Sequence, residues 1–261
     1  YTLSLHDALP ISSFSYRTYN KMVFTFDTTY IHEKSRDSLT SHKTDSSDIQ
    51  LKNLIQRQHL FLTESVTKKK FLAPDKGKEK VLASRVSGFK DPSLVFLATQ
   101  MQSFSFYESF IQIGDYNYLN PISKNSEKKY GFQLEDTLYT ERNDTVYVIS
   151  FRPGKNKNFD GLKGMLHVIT NNYALQTVIA EPSDPPEDFT IRVQQKYEFI
   201  QEKQCFTIQL NTRIEFHNVE GRTNSLRYNL KGDGKTYLRN IKLNPPLDPD
   251  QFGHVGLNIP D

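Results

Sequence analysis

At 261 residues the chain is long enough to bury a substantial core, in one domain or two. Its 33 basic and 30 acidic residues are interspersed and leave a net charge of +3, which argues against a general attraction to nucleic acid or acidic lipid. The single cysteine, Cys205, excludes an internal disulfide, and no run of about 18 apolar residues is present that could cross a membrane as a helix. Aliphatic residues are sparse, so 18 Phe and 14 Tyr must supply much of the buried area, a composition that suits a large sheet.

The first residues, YTLSLHDALPI, resemble the translation of a sequencing adapter joined to an incomplete reading frame. Residues 1–12 are therefore expected to stand outside the fold, with any export signal upstream. From Ser13 to Asp27 polarity alternates, with Phe14, Tyr16, Met22, Phe24 and Phe26 opposed to Ser15, Arg17, Tyr19, Lys21 and Thr25, which predicts a long first strand. Residues 28–47 are rich in Ser, Thr, Asp, Lys and His and read as a mobile insert. Asp48–Gln58 carries Ile49, Leu51, Leu54 and Ile55 at roughly helical spacing. His59–Ala73 and Lys78–Gly88 then form a strand pair around the turn Pro74-Asp75-Lys76-Gly77.

Asp91-Pro92-Ser93 supplies capping and first-turn residues for a helix whose apolar face holds Leu94, Val95, Leu97, Ala98 and Met101. Phe104–Ile113 fits helix or strand, and Tyr116–Ser123, with its Asn120-Pro121 step, reads as a loop or helix end. Lys128–Thr140 and Thr145–Arg152 make the next pair, followed by strands at Leu162–Thr170 and Leu175–Glu181. Thr190–Ile200 sets Ile191, Val193, Tyr197 and Phe199 against Arg192, Gln194, Lys196 and Glu198. Cys205–His217 sets Phe206, Ile208, Leu210, Ile214 and Phe216 against Thr207, Gln209, Asn211, Arg213 and Glu215. Ser225–Lys231 and Lys235–Asn244 bracket Gly232-Asp233-Gly234, which predicts a hairpin turn. The fold class that follows is mainly β: a curved antiparallel half-barrel of about ten or eleven strands wrapped around one or two short helices. Residues 13–252 form one domain, and 253–261 form a tail.

No nucleophile elbow, Walker loop or H-E-x-x-H motif occurs, and the histidines lack partners at ligand spacing, so no catalytic residue, metal or cofactor is expected. Asp136, Asp144 and Glu135 read as solvated turn acids. The segment PGKNKNFDGLKG at Pro153–Gly164 is a hairpin loop whose Lys155, Lys157 and Lys163 could meet an anion. Lys68, Lys69 and Lys70, together with the cluster that includes Lys128 and Lys129, are the candidates for contact with anionic headgroups. No nucleic-acid partner is expected, because no basic groove with stacking residues can be read.

Several long strings carry a family resemblance. SFSYRTYNKMVFTFD at Ser13, HLFLTESVTKKKFLAPDKGKEKVLASRVSGF at His59, LATQMQSFSFYESFI at Leu97, NYLNPISKNSEKKYGFQLEDTLY at Asn117 and NFDGLKGMLHVITNNYALQTVIAEP at Asn158 resemble the domain-of-unknown-function family 5686. The resemblance runs from Ser13 to Phe252. It implies an envelope protein of Bacteroidetes-type bacteria, with an export signal, a carboxypeptidase-regulatory-like domain, this domain at the periplasmic face of the outer membrane, and a C-terminal outer-membrane barrel as its partner within the chain. It carries no catalytic or ligand residues. The strand order also resembles the half-barrels of the LolA and LolB lipoprotein carriers, whose concave face holds acyl chains. The corresponding groove here would be lined by Leu97, Met101, Phe206, Leu210 and Phe216. The function expected is non-enzymatic binding or scaffolding of a lipid or envelope protein, with an unrecognised hydrolytic site as the alternative.

Overall fold

A computed structural model describes residues 12–33, 60–88, 106, 109–113, 116–140, 144–155, 158–170, 173–201, 204–220 and 226–252. The strands are β1 (Ser13–Glu33), β2 (Phe61–Leu72), β3 (Lys76–Gly88), β4 (Phe110–Ile113), β5 (Tyr116–Leu119), β6 (Tyr130–Tyr139), β7 (Thr145–Pro153), β8 (Leu162–Ile169), β9 (Leu175–Pro182), β10 (Phe189–Ile200), β11 (Gln204–Glu220) and β12 (Leu226–Leu243). Ten of them form one antiparallel sheet in the order β3-β2-β1-β12-β11-β10-β9-β8-β7-β6, while β4 and β5 form a separate hairpin. The large sheet is not closed and is a curved half-barrel. Apart from the β1–β12 junction, which joins the two ends of the sequence, every pair of adjacent strands in the sheet is consecutive in the chain.

Alternation decides which face is buried. On β1, Met22 and Phe24 are fully buried; Leu230 of β12, Leu210 and Ile214 of β11, Ile191 and Val193 of β10, Val178 of β9 and Leu166 of β8 continue the same core across the sheet. Phe106 and the hairpin residues Ile111 and Tyr118 belong to that core too, so the hairpin lies over the concave face. Both helices expected from the sequence, at Asp48–Gln58 and after Asp91, lie outside the described residues.

Three departures from the sequence reading have local causes. The first strand runs on to Glu33, six residues into the segment read as an insert. Tyr116–Leu119 is a strand, paired with Phe110–Ile113, and not a loop or helix end. Gly232-Asp233-Gly234 is no turn at all: β12 passes straight through it, with Gly232 opposite Phe24 and Gly234 opposite Met22 on β1. Its glycines serve packing and not turning. A Cβ on Gly232 would lie 2.6 Å from the Phe24 ring and 2.8 Å from Ile214, and one on Gly234 would lie 2.8 Å from the Met22 methyl. Large β1 side chains fill the space that β12 leaves empty, and Asp233 between them pairs outward with Arg213 at 2.8 Å.

The register of β11 also breaks within the stretch read as regular. Lys196 is opposite Gln209, but Tyr197 is opposite Thr207, so Ile208 is an extra residue. Such a bulge bends the strand and resets its alternation. Leu210 and Ile214 keep their predicted place in the core, whereas Phe206, paired with Glu198, stands outside that core and packs on Phe14 and Tyr16 of β1. Phe199, expected inward, is 39% exposed near the end of β10.

Candidate functional site on the concave face

The concave face has two parts. In one part the β4–β5 hairpin joins the core, with Tyr116 against Phe189 of β10, and buried polar groups hold the backbone before and after it. Gln195 sits at a core position of β10, fully buried, and its Oε1 accepts hydrogen bonds from the Phe106 N–H at 3.2 Å and from the Tyr197 hydroxyl. Asn120 donates through Nδ2 to the Phe106 carbonyl at 2.7 Å, while its Oδ1 accepts from the Ile122 N–H at 3.0 Å. Both backbone groups of one fully buried residue are thus gripped by side chains, as a non-sheet segment inside a core requires. Tyr130 completes the attachment, donating to the Leu119 carbonyl at 2.6 Å and accepting from the Leu162 N–H at 3.1 Å.

Burial raises the Tyr130 hydroxyl to about 12, and it raises Tyr118 to about 12 with a smaller contribution from Asp160. On the opposite face His167 lies across from Val148, with its Nδ1 buried and lacking a hydrogen-bond partner; burial pushes its pKa down.

The second part lies where β1 begins and β2 and β12 end. Phe14 stacks on Phe71 at 4.8 Å and on Tyr16 at 5.9 Å, and Phe206 meets both Phe14 (5.4 Å) and Tyr16 (5.9 Å) edge-on across β12. All four side chains are half-buried, and none belongs to the main core. The Tyr16 hydroxyl is raised to about 12 by burial and by the nearby Glu79 carboxylate. A polar chain separates this group from Met22 and Phe24. The Asn20 amide donates to Ser65 at 3.2 Å, the Thr18 and Thr67 hydroxyls meet at 2.5 Å, and Thr67 lies 2.8 Å from the Glu79 carboxylate. The arrangement is an aromatic surface edged by hydroxyls and one carboxylate, suited to receiving an apolar body with a polar end.

The residues expected to line a groove are therefore not one group. Leu210 is a core residue at 3% exposure, and Phe216, six residues further along β11, packs against the edge of the core, 6.1 Å from the Phe189 ring. Phe206 belongs to the second aromatic group, and Leu97 and Met101 lie outside the described residues. Phe14 and Tyr16 were legible as apolar positions of β1, but only the cross-strand register brings Phe71 and Phe206 to them. Gln195 had a signal in the sequence: an amide at a position whose neighbours two residues away, Val193 and Tyr197, face inward.

The lysines also divide. Lys68 and Lys70 face away from the core, Lys69 lies opposite Tyr16, and Lys128 and Lys129 stand beside β6 at the other end of the strand order. Lys163 is not in a loop but in β8. With Arg152, Ser150 and Glu135 it borders an open depression of about 370 Å³ between β6, β7 and β8, and it pairs with Glu181 at 3.5 Å. Lys155 is exposed in a turn. Cys205 is half-buried, its thiol 3.3 Å from the Leu175 carbonyl. Among the described residues no three His, Cys, Asp or Glu side chains converge, and no helix is long and apolar enough to cross a membrane.

A model of the family of unknown function DUF5686 matches residues 7–229, beginning within the adapter-like segment. No curated protein sequence matches the chain. Among solved structures, that of a DUF1329 family protein from Desulfovibrio piger is similar at 10% identity, covering 96% of this chain and 92% of that one, with a TM-score of 0.34.

Proposed function

The chain belongs to the DUF5686 family of unknown function, and from that premise we propose that it is a non-enzymatic binding and scaffolding domain of a bacterial envelope protein, at the periplasmic face of the outer membrane, that holds an apolar chain on its concave face. The observation that carries this reading is the half-buried aromatic group Phe14, Tyr16, Phe71 and Phe206, set apart from the main core. The buried polar groups support a scaffold in the same way, since Gln195, Asn120 and Tyr130 are all hydrogen-bonded to backbone that they position. An acyl chain laid on the aromatic group would gain about 0.8 kcal/mol for each methylene covered.

A fluorescent fatty acid tests this on the full chain. Saturable binding, displaced by unlabelled palmitate and weakened about tenfold by Phe71→Ser or Phe206→Ser, is the expected result. A folded protein that shows no saturable binding, or binding indifferent to both substitutions, would overturn the proposal.

A further inference from the structure

The face turned away from the core carries a pattern that the balanced composition conceals. Cross-strand register places Lys80, Lys68, Arg17 and Arg239 directly opposite one another on β3, β2, β1 and β12. One step along the strands, Lys78, Lys70, Ser15 and Lys242 form a second row. Neighbouring strands are about 4.8 Å apart, so the first row sets four cations across about 15 Å.

Neither row contains an acid. Glu79, the nearest acid in sequence to these lysines, lies opposite Lys69 on the other face and accepts from Thr67. Among the described residues none of the seven cations forms an ion pair; the ion pairs are Lys21–Glu64, Lys163–Glu181 and Arg213–Asp233. The tail after β12 touches this face, where the Lys70 and Lys78 ammonium groups donate to Gln251, but its Asp248 and Asp250 do not pair with them. Like charges directly opposite on a sheet oppose folding. A ladder of them without counter-charges is accounted for by an anionic partner outside the chain.

We propose that this face docks on an anionic phospholipid membrane surface. The cations extend in two dimensions over four adjacent strands, matching a plane of headgroups rather than the line of a nucleic-acid backbone. Five of the seven are lysines, point charges without the fork that would read single phosphates bidentately. Next to the first row lie Tyr19 and Tyr237, opposite each other, Tyr19 at 38% exposure and Tyr237 with the Arg239 guanidinium 5.8 Å above its ring. Tyrosines beside cations are the side chains that settle at headgroup level.

The face is distinct from the aromatic group on the concave side, and it is tested without fatty acid. The full chain is sedimented with vesicles of phosphatidylcholine alone or of phosphatidylcholine and phosphatidylglycerol in equal parts. Binding to the anionic vesicles only, abolished by high salt, is expected. Each cation removed near the surface weakens partition about fivefold, so Lys68→Gln with Lys80→Gln weakens it about 25-fold, while Lys128→Gln with Lys129→Gln has less effect. Thermal unfolding of the first pair is the control, and its midpoint should not fall, because the substitutions relieve repulsion. Unchanged vesicle binding by a stable Lys68→Gln, Lys80→Gln protein would overturn the proposal. So would the absence of any preference for anionic vesicles, or displacement from them by a short DNA at equal charge.

Discussion

Single residues in this sheet act through space that they occupy or leave empty. Gly232 is the clearest case, because the Phe24 ring and the Ile214 methyl occupy the volume that any side chain would need. Gly232→Ala should lower stability by about 1–3 kcal/mol, as overpacking of a core does, while Asp233→Asn beside it should change stability by under about 1 kcal/mol, because its exposed ion pair contributes little; urea unfolding of both separates the two. Titration works at the same scale. Tyr130, Tyr118 and Tyr16 have their hydroxyls raised from 10 to about 12, so the folded state holds protons that the unfolded chain releases. That stability is fully present below pH 10 and is lost as pH rises toward 12. His167 acts in the other direction, since its folded pKa is pushed below 6.5; its contribution is present above that value and is lost as pH falls. The thermal midpoint should therefore be highest between these limits, and Tyr130→Phe should flatten its alkaline fall.

Elements are set by register. On β11 the bulge at Ile208 divides one apparent alternation into two, so that Leu210 and Phe206, an even number of positions apart, belong to different clusters. Leu210→Asp should unfold the domain, because it places an unpaired charge at a buried position opposite the buried Gln195, whereas Gln209→Asp, on the other face, should be tolerated. Circular dichroism at rising temperature reads both. The hairpin β4–β5 illustrates a different dependence: it is short, it lies outside the large sheet, and besides one backbone bridge from Leu119 to Gly161 it is attached through side chains of β6, β10 and the turn at Asn120.

For the whole molecule, the controlling feature is the pairing of β1 with β12. A meander needs only short connections, but this junction joins residues more than two hundred positions apart: Phe14 lies opposite Leu243, and Asn244 Oδ1 accepts from the Ser12 N–H at 2.9 Å. Without it the β1–β3 and β6–β12 groups would each present a second open edge. A chain ending at Glu220 should therefore lose the cooperative thermal transition of the full chain, measured by circular dichroism, although most of its strands remain. The same junction assembles the candidate surfaces, bringing Phe206 to Phe14 on one face and Arg239 to Arg17 on the other.

The amino-acid sequence by itself determined that the fold is an antiparallel half-barrel, because a side-chain period of two writes each strand and its buried face into local sequence. Ile191, Val193, Leu210, Ile214, Met22 and Phe24 were all legible in this way. Local pattern could not show that Gly-Asp-Gly is a strand interior, since glycine serves a turn and a close approach equally well, and only the neighbouring Phe24 and Met22 decide between them. Nor could it show either candidate surface. A net charge of +3 is a sum over the chain, while the repulsion and attraction that matter act between residues a few ångströms apart, and Lys68, Arg17 and Arg239 become neighbours only when distant strands pair. The aromatic group has the same origin: Phe14, Phe71 and Phe206 meet through the tertiary register, which no sequence window contains.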